Sequence, residues 1–176
     1  MIILVMGVAG SGKTTIGTGL AVRLGCGFSD ADEFHSDANK EKMARGVALT
    51  DEDRLPWLQS MRAAIVEKQR QGRDHVFACS ALKKTYREML RGEGDLCLVF
   101  LQGSAELLAE RLTTRRGHFF PVALLQDQLD NLEAPGPEEA LIMDIRQTPD
   151  EIIDAVIQHL RDGGTSAEAP PNPDRP

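Results

Sequence analysis

A glycine-rich stretch directly after the first apolar run constrains this chain more than any other feature. Residues 7–14 read G-V-A-G-S-G-K-T and follow the apolar run 2–6. Glycines let a backbone wrap closely around an anion, because no Cβ atoms intervene and consecutive N–H groups can point inward. The stretch matches G-x-x-x-x-G-K-[ST], in which the lysine contacts the outer phosphates and the hydroxyl ligates Mg²⁺. The sequence therefore predicts a nucleoside-triphosphate site between a strand and a helix.

The predicted nucleotide contacts cover the whole loop and the start of the following helix. They are Gly7, Val8, Ala9, Gly10, Ser11, Gly12, Lys13, Thr14 and Thr15. We expect Lys13 to compensate charge on the β- and γ-phosphates, which makes it a catalytic candidate, and Thr14 to ligate Mg²⁺. The plain alternative is a glycine-rich turn with an exposed lysine.

Short apolar runs alternate with helix-period segments along the rest of the chain. The runs 2–6, 75–79, 96–101 and 140–145 show little polar alternation, which predicts strands covered on both faces. This βα alternation predicts an α/β fold with a mainly parallel, doubly wound sheet. Ligands of such sheets bind beyond the carboxyl ends of the strands.

Two of the predicted helices carry start signals. Pro56 is interpreted as the first residue of a helix over 57–71 that Gly72 ends. Thr148 and the glutamate three residues later predict a capping box, with Pro149 as the first helical residue.

The net charge, the N-terminal segment and the cysteines disfavour several classes of protein. The 176 residues include 27 acidic and 20 basic side chains, a net charge of −7, which disfavours a dedicated nucleic-acid binder. The apolar N-terminus is too short for a signal peptide or a membrane span. Three cysteines at no metal-ligand spacing predict buried free thiols. We therefore expect a cytoplasmic protein with one domain over 1–162 and a disordered, proline-rich tail over 163–176.

Two aspartates follow the segment 27–29, which is interpreted as the second strand. Asp30 and Asp32 stand two residues apart, so on an extended segment both side chains point to the same face. Asp30 could then reach the Mg²⁺ shell, and Asp32 could accept a hydrogen bond from an attacking hydroxyl. The alternative is a helix N-cap, because a helical stretch follows and aspartate caps well.

Several longer stretches resemble the gluconokinases of the shikimate-kinase-like group. The matching stretches are 30–35 (DADEFH), 53–58 (DRLPWL), 79–83 (CSALK) and 115–120 (RRGHFF), and the likeness extends over about residues 1–161. The resemblance implies ATP-dependent phosphorylation of D-gluconate on its 6-hydroxyl, with Mg²⁺. It also implies a five-stranded parallel sheet, a closing lid and often a homodimer.

The resemblance also implies roles for individual residues. Asp32 and Arg115 are expected to act with Lys13 in catalysis, Arg115 from the lid on the transferred phosphate. Arg111 is placed against the adenine, beside which Gln147 and Thr148 are also expected. The residues expected to contact gluconate are Asp32, His35, Arg54, Ser80, Lys83, His118 and Gln128.

Plain alternatives remain for several of these positions. Arg54 follows three carboxylates and could form a local salt bridge. Lys83 could belong to a solvated basic helix with Lys84, Arg87 and Arg91, and His35 could sit on a helix face. Trp57 is interpreted as core rather than as a platform for the sugar. Asp127 stands where the family usually has Ser or Thr, and the sequence does not decide whether this side chain meets the substrate.

Two other functions are compatible with parts of the pattern. A shikimate- or nucleotide-type kinase would use the same scaffold and the same loop. A GTP-dependent switch would need an Asn-Lys-x-Asp motif, and the Asn-Lys pair at 39–40 lacks the final aspartate.

Overall fold

A five-stranded, all-parallel sheet forms the centre of the molecule. The computed structural model describes residues 1–92, 94–114 and 122–163. The strands are β1 (Ile2–Met6), β2 (Gly27–Asp30), β3 (His75–Cys79), β4 (Leu96–Gln102) and β5 (Leu141–Asp144). Their order across the sheet is β2-β3-β1-β4-β5, so β1 lies at the centre, paired with both β3 and β4. This arrangement confirms the predicted α/β fold.

Helices connect the strands as the alternation predicts. Seven α-helices and one 3₁₀ helix lie in the described residues: α1 (Lys13–Leu24), the 3₁₀ helix (Ala31–Phe34), α2 (Asp37–Ala44), α3 (Asp51–Arg70), α4 (Lys84–Leu90), α5 (Ala105–Thr114), α6 (Val122–Asp130) and α7 (Pro149–Arg161). The predicted capping box at the start of α7 is present, with Pro149 as its first residue.

The sheet is covered on both faces because successive strand residues point to opposite sides. Along β1, Ile3 and Val5 pack into one core with α1, α5 and α7, whereas Ile2, Leu4 and Met6 pack into a second core with α3 and α4. Every residue of β1 and β3 is buried. Their almost wholly apolar sequences, apart from His75 at the start of β3, follow from this double coverage.

The prediction of full coverage is wrong for the last strand. In the sheet formed by the described residues, β5 is an edge strand, and the Ile142 side chain is exposed. Its apolar composition resembles that of the central strands, and this likeness misled the prediction. Beyond the sheet, no helix within the described ranges is long and apolar enough to cross a membrane.

All three cysteines are free thiols, as predicted, but only two of them are buried. Cys79 and Cys97 are buried, and burial raises the pKa of Cys79 to about 12 and that of Cys97 to about 11. Cys26 is half-buried, and its pKa is also raised by burial. The predicted tail, apart from Gly163, lies outside the described residues, so its disorder stays a prediction.

The start predicted for α3 is also wrong. The helix begins at Asp51, and Pro56 lies inside it rather than at its first position. The Thr50 hydroxyl accepts the N–H of Asp53, and the Asp53 carboxylate accepts the N–H of Thr50, which completes a capping box. These reciprocal bonds satisfy two backbone donors at the helix start. They offset the hydrogen bond that Pro56 cannot donate in the second turn.

The cap at Thr50 leads to a stability prediction. Thr50→Ala should lower the free energy of unfolding by about 1 kcal/mol, because the Asp53 N–H loses its acceptor. Urea unfolding followed by circular dichroism measures the change. Thr50→Ser keeps the hydroxyl and is the matched control. Equal destabilisation of both variants would contradict the assigned cap.

Candidate active site

The glycine-rich loop emerges from the carboxyl end of β1. Gly10 and Gly12 have φ values of +79° and +97°, which side chains rarely adopt, so these positions favour glycine. The Lys13 ammonium donates to the carbonyl of Val8 at 3.0 Å and therefore lies across the loop. The Ser11 hydroxyl is buried, and within the described part of the chain it has no hydrogen-bond partner. The loop thus presents backbone donors, one cation and one unsatisfied hydroxyl.

Asp30 joins the carboxyl end of β2 to this loop. The Thr14 hydroxyl donates to Asp30 Oδ2 at 2.8 Å, and the N–H of Asp32 donates to Asp30 Oδ1 at 3.1 Å. Asp30 therefore caps the 3₁₀ helix, as the alternative interpretation predicts, and also contacts Thr14 of the loop, whereas its role toward Mg²⁺ stays a prediction. The Thr14–Asp30 pair combines two oxygen donors of the kind that Mg²⁺ prefers.

Asp32 does not lie on an extended segment, in contrast to the prediction. It is in the 3₁₀ helix, because the Asp30 carboxylate turns the chain immediately after the strand. The pKa of Asp32 is raised, first by loss of hydration and then by the negative charge of Asp30, whereas the Lys13 and Lys40 charges lower it. The side chain remains exposed to solvent. Asp32 therefore combines accessibility with a more basic carboxylate than an isolated aspartate has.

His35 is buried and stacked on Trp57. The ring centroids are 4.4 Å apart with an interplanar angle of 10°. Trp57 is itself buried, as its interpretation as core predicts, and its Nε1–H donates to the carbonyl of Ala31 at 2.7 Å. Burial, together with the charges of Arg54 and Lys40, lowers the pKa of His35 to about 4. The imidazole is therefore neutral at pH 7, and its Nδ1 has no hydrogen-bond partner among the described residues.

Arg54 and Lys83 come together around one carboxylate. Lys83 Nζ lies 2.7 Å and 2.9 Å from the two carboxylate oxygens of Asp51, and Arg54 Nη1 lies 3.7 Å from Asp51 Oδ1. The Tyr86 hydroxyl donates to the same carboxylate. Arg54 thus forms the local salt bridge foreseen for it, whereas Lys83 is not simply a member of a solvated helix.

Ser80 and Lys83 lie on the loop that follows β3, and Arg87 holds this loop. Arg87 is buried, so the plain alternative of a solvated basic helix does not describe this residue. Its Nη1 donates to the carbonyls of Ala81, Leu82 and Glu133, and its Nε and Nη2 bind the two carboxylate oxygens of Glu139 at 2.6 Å and 3.1 Å. Ala81 has a φ of +44°, an unfavourable conformation for a residue with a Cβ. The buried guanidinium stabilises this backbone against its own strain.

Gln128 contacts the glycine-rich loop over 7–14, which is called the phosphate loop from here on. Its Oε1 accepts the N–H of Ala9 at 2.6 Å, which joins α6 directly to the loop. The substrate contact that the resemblance implies for Gln128 stays a prediction. The neighbouring Asp127 accepts hydrogen bonds from the Asn131 side-chain amide, at its carbonyl and at its carboxylate. Asn131 directly follows α6, so Asp127 has a local role at the end of this helix.

The residues predicted beside the adenine gather at the carboxyl end of β5. Arg111 Nη2 donates to the carbonyl of Ile145 at 2.5 Å, two residues before Gln147. The Gln147 side chain is exposed, whereas the Thr148 hydroxyl is engaged in the cap of α7. Arg111 and Gln147 thus border one edge of the sheet. Arg115 and His118 lie outside the described residues.

Several long-range contacts of the candidate site were not predicted from the sequence. Asp51 binds Lys83 and Tyr86, and Arg87 binds Glu139. The partners lie 32 to 52 positions apart in the sequence, so no local pattern indicates these contacts. The capping box at Thr50 could have been recognised from its spacing and would have placed Asp51 at the start of a helix.

The fold and this site together define a P-loop kinase of small molecules. The model of the family described as shikimate kinase matches residues 9–161. A probable gluconokinase of Dictyostelium discoideum is 47% identical over 92% of this chain and 86% of the relative. A gluconokinase of Gluconobacter oxydans is 46% identical over 90% of each chain. The crystal structure of a gluconokinase from Sinorhizobium meliloti superposes with a TM-score of 0.78 at 41% identity, covering 92% of this chain and 96% of that one.

The chain belongs to the shikimate kinase family, within its gluconokinase branch. A shikimate kinase from Aquifex aeolicus superposes with a TM-score of 0.60 at 17% identity, which shows the shared fold.

The burial of His35 leads to a pH prediction. Its pKa is about 4 in the folded protein and about 6.5 in an unfolded chain, so between these values the unfolded chain binds more protons. Its contribution to stability is complete above about pH 6.5 and is lost as the pH falls towards 4, on the order of 3 kcal/mol in total.

Urea unfolding of the wild type and of His35→Asn at several pH values between 4 and 7.5 measures this contribution. Other titrating groups are common to both proteins, so the difference between the two profiles isolates His35. Parallel profiles would contradict a buried, neutral His35.

Proposed function

We propose that this protein transfers the γ-phosphoryl group of ATP to the 6-hydroxyl of D-gluconate and releases 6-phosphogluconate. The observation that carries the proposal is the Thr14–Asp30 hydrogen bond at 2.8 Å, which joins the phosphate loop to the acidic segment that contains Asp32. Phosphoryl transfer requires the donor, on the phosphate loop, and the acceptor, beside Asp32, to lie next to each other. The gluconokinase relatives, at 46–47% identity, support gluconate as the acceptor.

The loop is the proposed binding site of the ATP polyphosphate. The start of α1 favours negative charge, because the N–H groups of a helix N-terminus carry partial positive charge. Lys13 lies across the loop from Val8 and adds a full positive charge. The buried Ser11 hydroxyl lacks a partner among the described residues, so a phosphate oxygen would satisfy it. At the carboxyl end of β5, Arg111 and Gln147 are proposed to border the adenine.

Mg²⁺ fits the residues present. Within the described ranges, no group of three or more His, Cys, Asp or Glu side chains could hold a metal alone. Mg²⁺ usually takes one or two protein ligands together with phosphates and waters, which agrees with the pair formed by Thr14 and Asp30. The ion, when bound, supplies neutralisation of phosphate charge. Thr14 and Asp30 are the residues proposed to hold it.

Asp32 is proposed to orient the attacking hydroxyl and to accept its proton. Phosphoryl transfer has a loose transition state, so orientation matters more than strong basicity. The raised pKa of Asp32 makes the carboxylate a better proton acceptor than an ordinary aspartate. Its position in the 3₁₀ helix is fixed by Asp30, and Trp57 holds the same helix at the carbonyl of Ala31.

The acceptor site is proposed to lie between the 3₁₀ helix, the start of α3 and the loop after β3. Arg54 and Lys83 supply positive charge for the carboxylate of gluconate, and guanidinium geometry suits carboxylates. Ser80 and the unpartnered Nδ1 of His35 offer polar atoms to hydroxyl groups. The neutral state of His35 at pH 7 makes it a hydrogen-bonding group rather than a further cation.

The remaining expectations are part of the same proposal and rest on the resemblance. Arg115 and His118 would act from a closing lid, Arg115 on the transferred phosphate. Closure of a lid excludes water, which would otherwise compete as acceptor. We also propose a cytoplasmic location, a folded domain over 1–162 and a homodimer.

The proposal is tested by turnover with a panel of acceptors. With ATP and Mg²⁺ present, gluconate should be phosphorylated with a higher kcat/KM than shikimate, glucose, AMP or adenosine, because the gluconokinase relatives favour gluconate and because Arg54 and Lys83 suit a carboxylate. A coupled assay of ADP release measures each rate. Turnover of shikimate or a nucleoside at a rate equal to that of gluconate would refute the assignment. GTP in place of ATP provides the comparison for the nucleotide.

Asp32→Asn separates the proposed roles at the acidic segment. The variant should lose kcat by about 10²-fold or more, because orientation and proton acceptance are lost together, with little change in the KM for ATP. In the wild type, kcat should fall on the acid side at a pH above that of an ordinary aspartate, since the pKa of Asp32 is raised. Steady-state kinetics with saturating gluconate measure both effects. Equal losses in kcat and in ATP affinity would indicate a metal-binding or structural role instead.

A further inference from the structure

Three acidic residues begin α3, and they differ in what they contact. Asp53 completes the capping box with Thr50 and binds the ammonium of Lys42 at 2.8 Å, which ties α2 to α3. Asp51 instead reaches across to α4 and the loop before it. Glu52, between them, is exposed. The start of the helix explains the contacts of Asp53. It does not explain why Asp51 binds Lys83 and Tyr86.

The Asp51 carboxylate is the centre of a mixed cluster with Arg54, Lys83 and Tyr86. Both of its oxygens accept from Lys83 Nζ, and one also accepts from the Tyr86 hydroxyl and lies 3.7 Å from Arg54 Nη1. Lys83 Nζ also lies 5.6 Å from the centre of the Tyr86 ring. The side chain of Asp51 is 62% exposed, whereas those of Lys83 and Arg54 are 25% and 19% exposed. The two cations are thus partly enclosed and face the same anion.

This geometry solves a physical problem of the acceptor site. Two cations close to one another repel, and a lysine has a long flexible chain whose ordering costs entropy. A fixed carboxylate between them lowers the repulsion and restricts the lysine. Asp51 is well suited to this task, because it is the first residue of a capped helix and its backbone is held in place. The Tyr86 hydroxyl fixes the carboxylate from the side of α4.

We propose that Asp51 is a positioning residue of the acceptor site, whose carboxylate holds Lys83 and Arg54 in the arrangement that receives the carboxylate of the sugar acid. The inference rests on the proposed function, since it takes Arg54 and Lys83 to bind gluconate. With Asp51 ionised, the cluster of two cations and one anion has a net charge of +1. That charge matches a single carboxylate.

A plain alternative assigns Asp51 to the helix alone. Negative charge near a helix N-terminus is favourable, and Asp51 and Glu52 share this benefit because both lie in the first turn. The alternative predicts similar effects of neutralising either residue, and it predicts no effect on the acceptor. Glu52→Gln is therefore the matched control for Asp51→Asn.

The test is steady-state kinetics of the full-length chain with gluconate and ATP each varied in turn. Asp51→Asn should raise the KM for gluconate about tenfold, the effect of losing one hydrogen bond to a charged group, with kcat and the KM for ATP within about twofold of wild type. Asp51→Glu should recover part of the loss. Glu52→Gln should match the wild type. Circular dichroism and urea unfolding of each variant verify that the fold is intact.

Two results would overturn the inference. An unchanged KM for gluconate in Asp51→Asn would leave Asp51 with the helix alone, and a lowered KM would show that it competes with the substrate. Lys83→Met distinguishes this failure from that of the proposed function. If Lys83→Met raises the KM for gluconate and Asp51→Asn does not, only the role of Asp51 is wrong. If neither variant changes it, the acceptor site itself is misplaced and both proposals are overturned.

Discussion

Parallel pairing of β1 with both β3 and β4 is the constraint on which the rest of this structure depends. Parallel neighbours cannot be joined by tight turns, so each strand must be followed by a crossover that returns the chain to the same end of the sheet. The loops after β1, β2, β3 and β5 therefore share one edge. The phosphate loop, the acidic segment, the loop of Lys83 and the segment of Gln147 are brought together by backbone topology before any side-chain contact forms.

Side-chain contacts then fix distances within this edge. Thr14 and Asp30 connect the first two loops, and Gln128 connects the phosphate loop with α6. From α6 the chain continues to Glu133, whose N–H donates to the carbonyl of Leu82 and whose carbonyl accepts from Arg87. Hydrogen bonds and the chain from Gln128 to Glu133 thus connect the phosphate loop with the loop after β3. The largest contribution that this arrangement can make to phosphoryl transfer is to hold the two reactants close together.

Features encoded by neighbouring residues were predictable from the sequence. The phosphate loop, the five strands and the cap at Thr148 each depend on a short pattern with a local physical cause. The start of α3 was mistaken because Pro56 was given more weight than the spacing of Thr50 and Asp53. The conformation of Asp32 was mistaken because an extended segment was assumed to continue past Asp30, whose own carboxylate turns the chain. The pairs Asp51–Lys83 and Arg87–Glu139 depend on tertiary packing of α3, α4 and the segment after α6, which no local pattern specifies.

Arg87 holds the backbone of the loop after β3, whereas Lys83 on the same loop is proposed to contact the substrate. A planar fork of five donors serves three carbonyls and a carboxylate at once, which an ammonium group cannot imitate. The neighbouring Lys83 side chain takes no part in holding that backbone. Redesign of this site for other acceptors would therefore begin at Lys83, whereas substitution of Arg87 would leave three carbonyls and the Glu139 carboxylate without their shared donor and destabilise the loop.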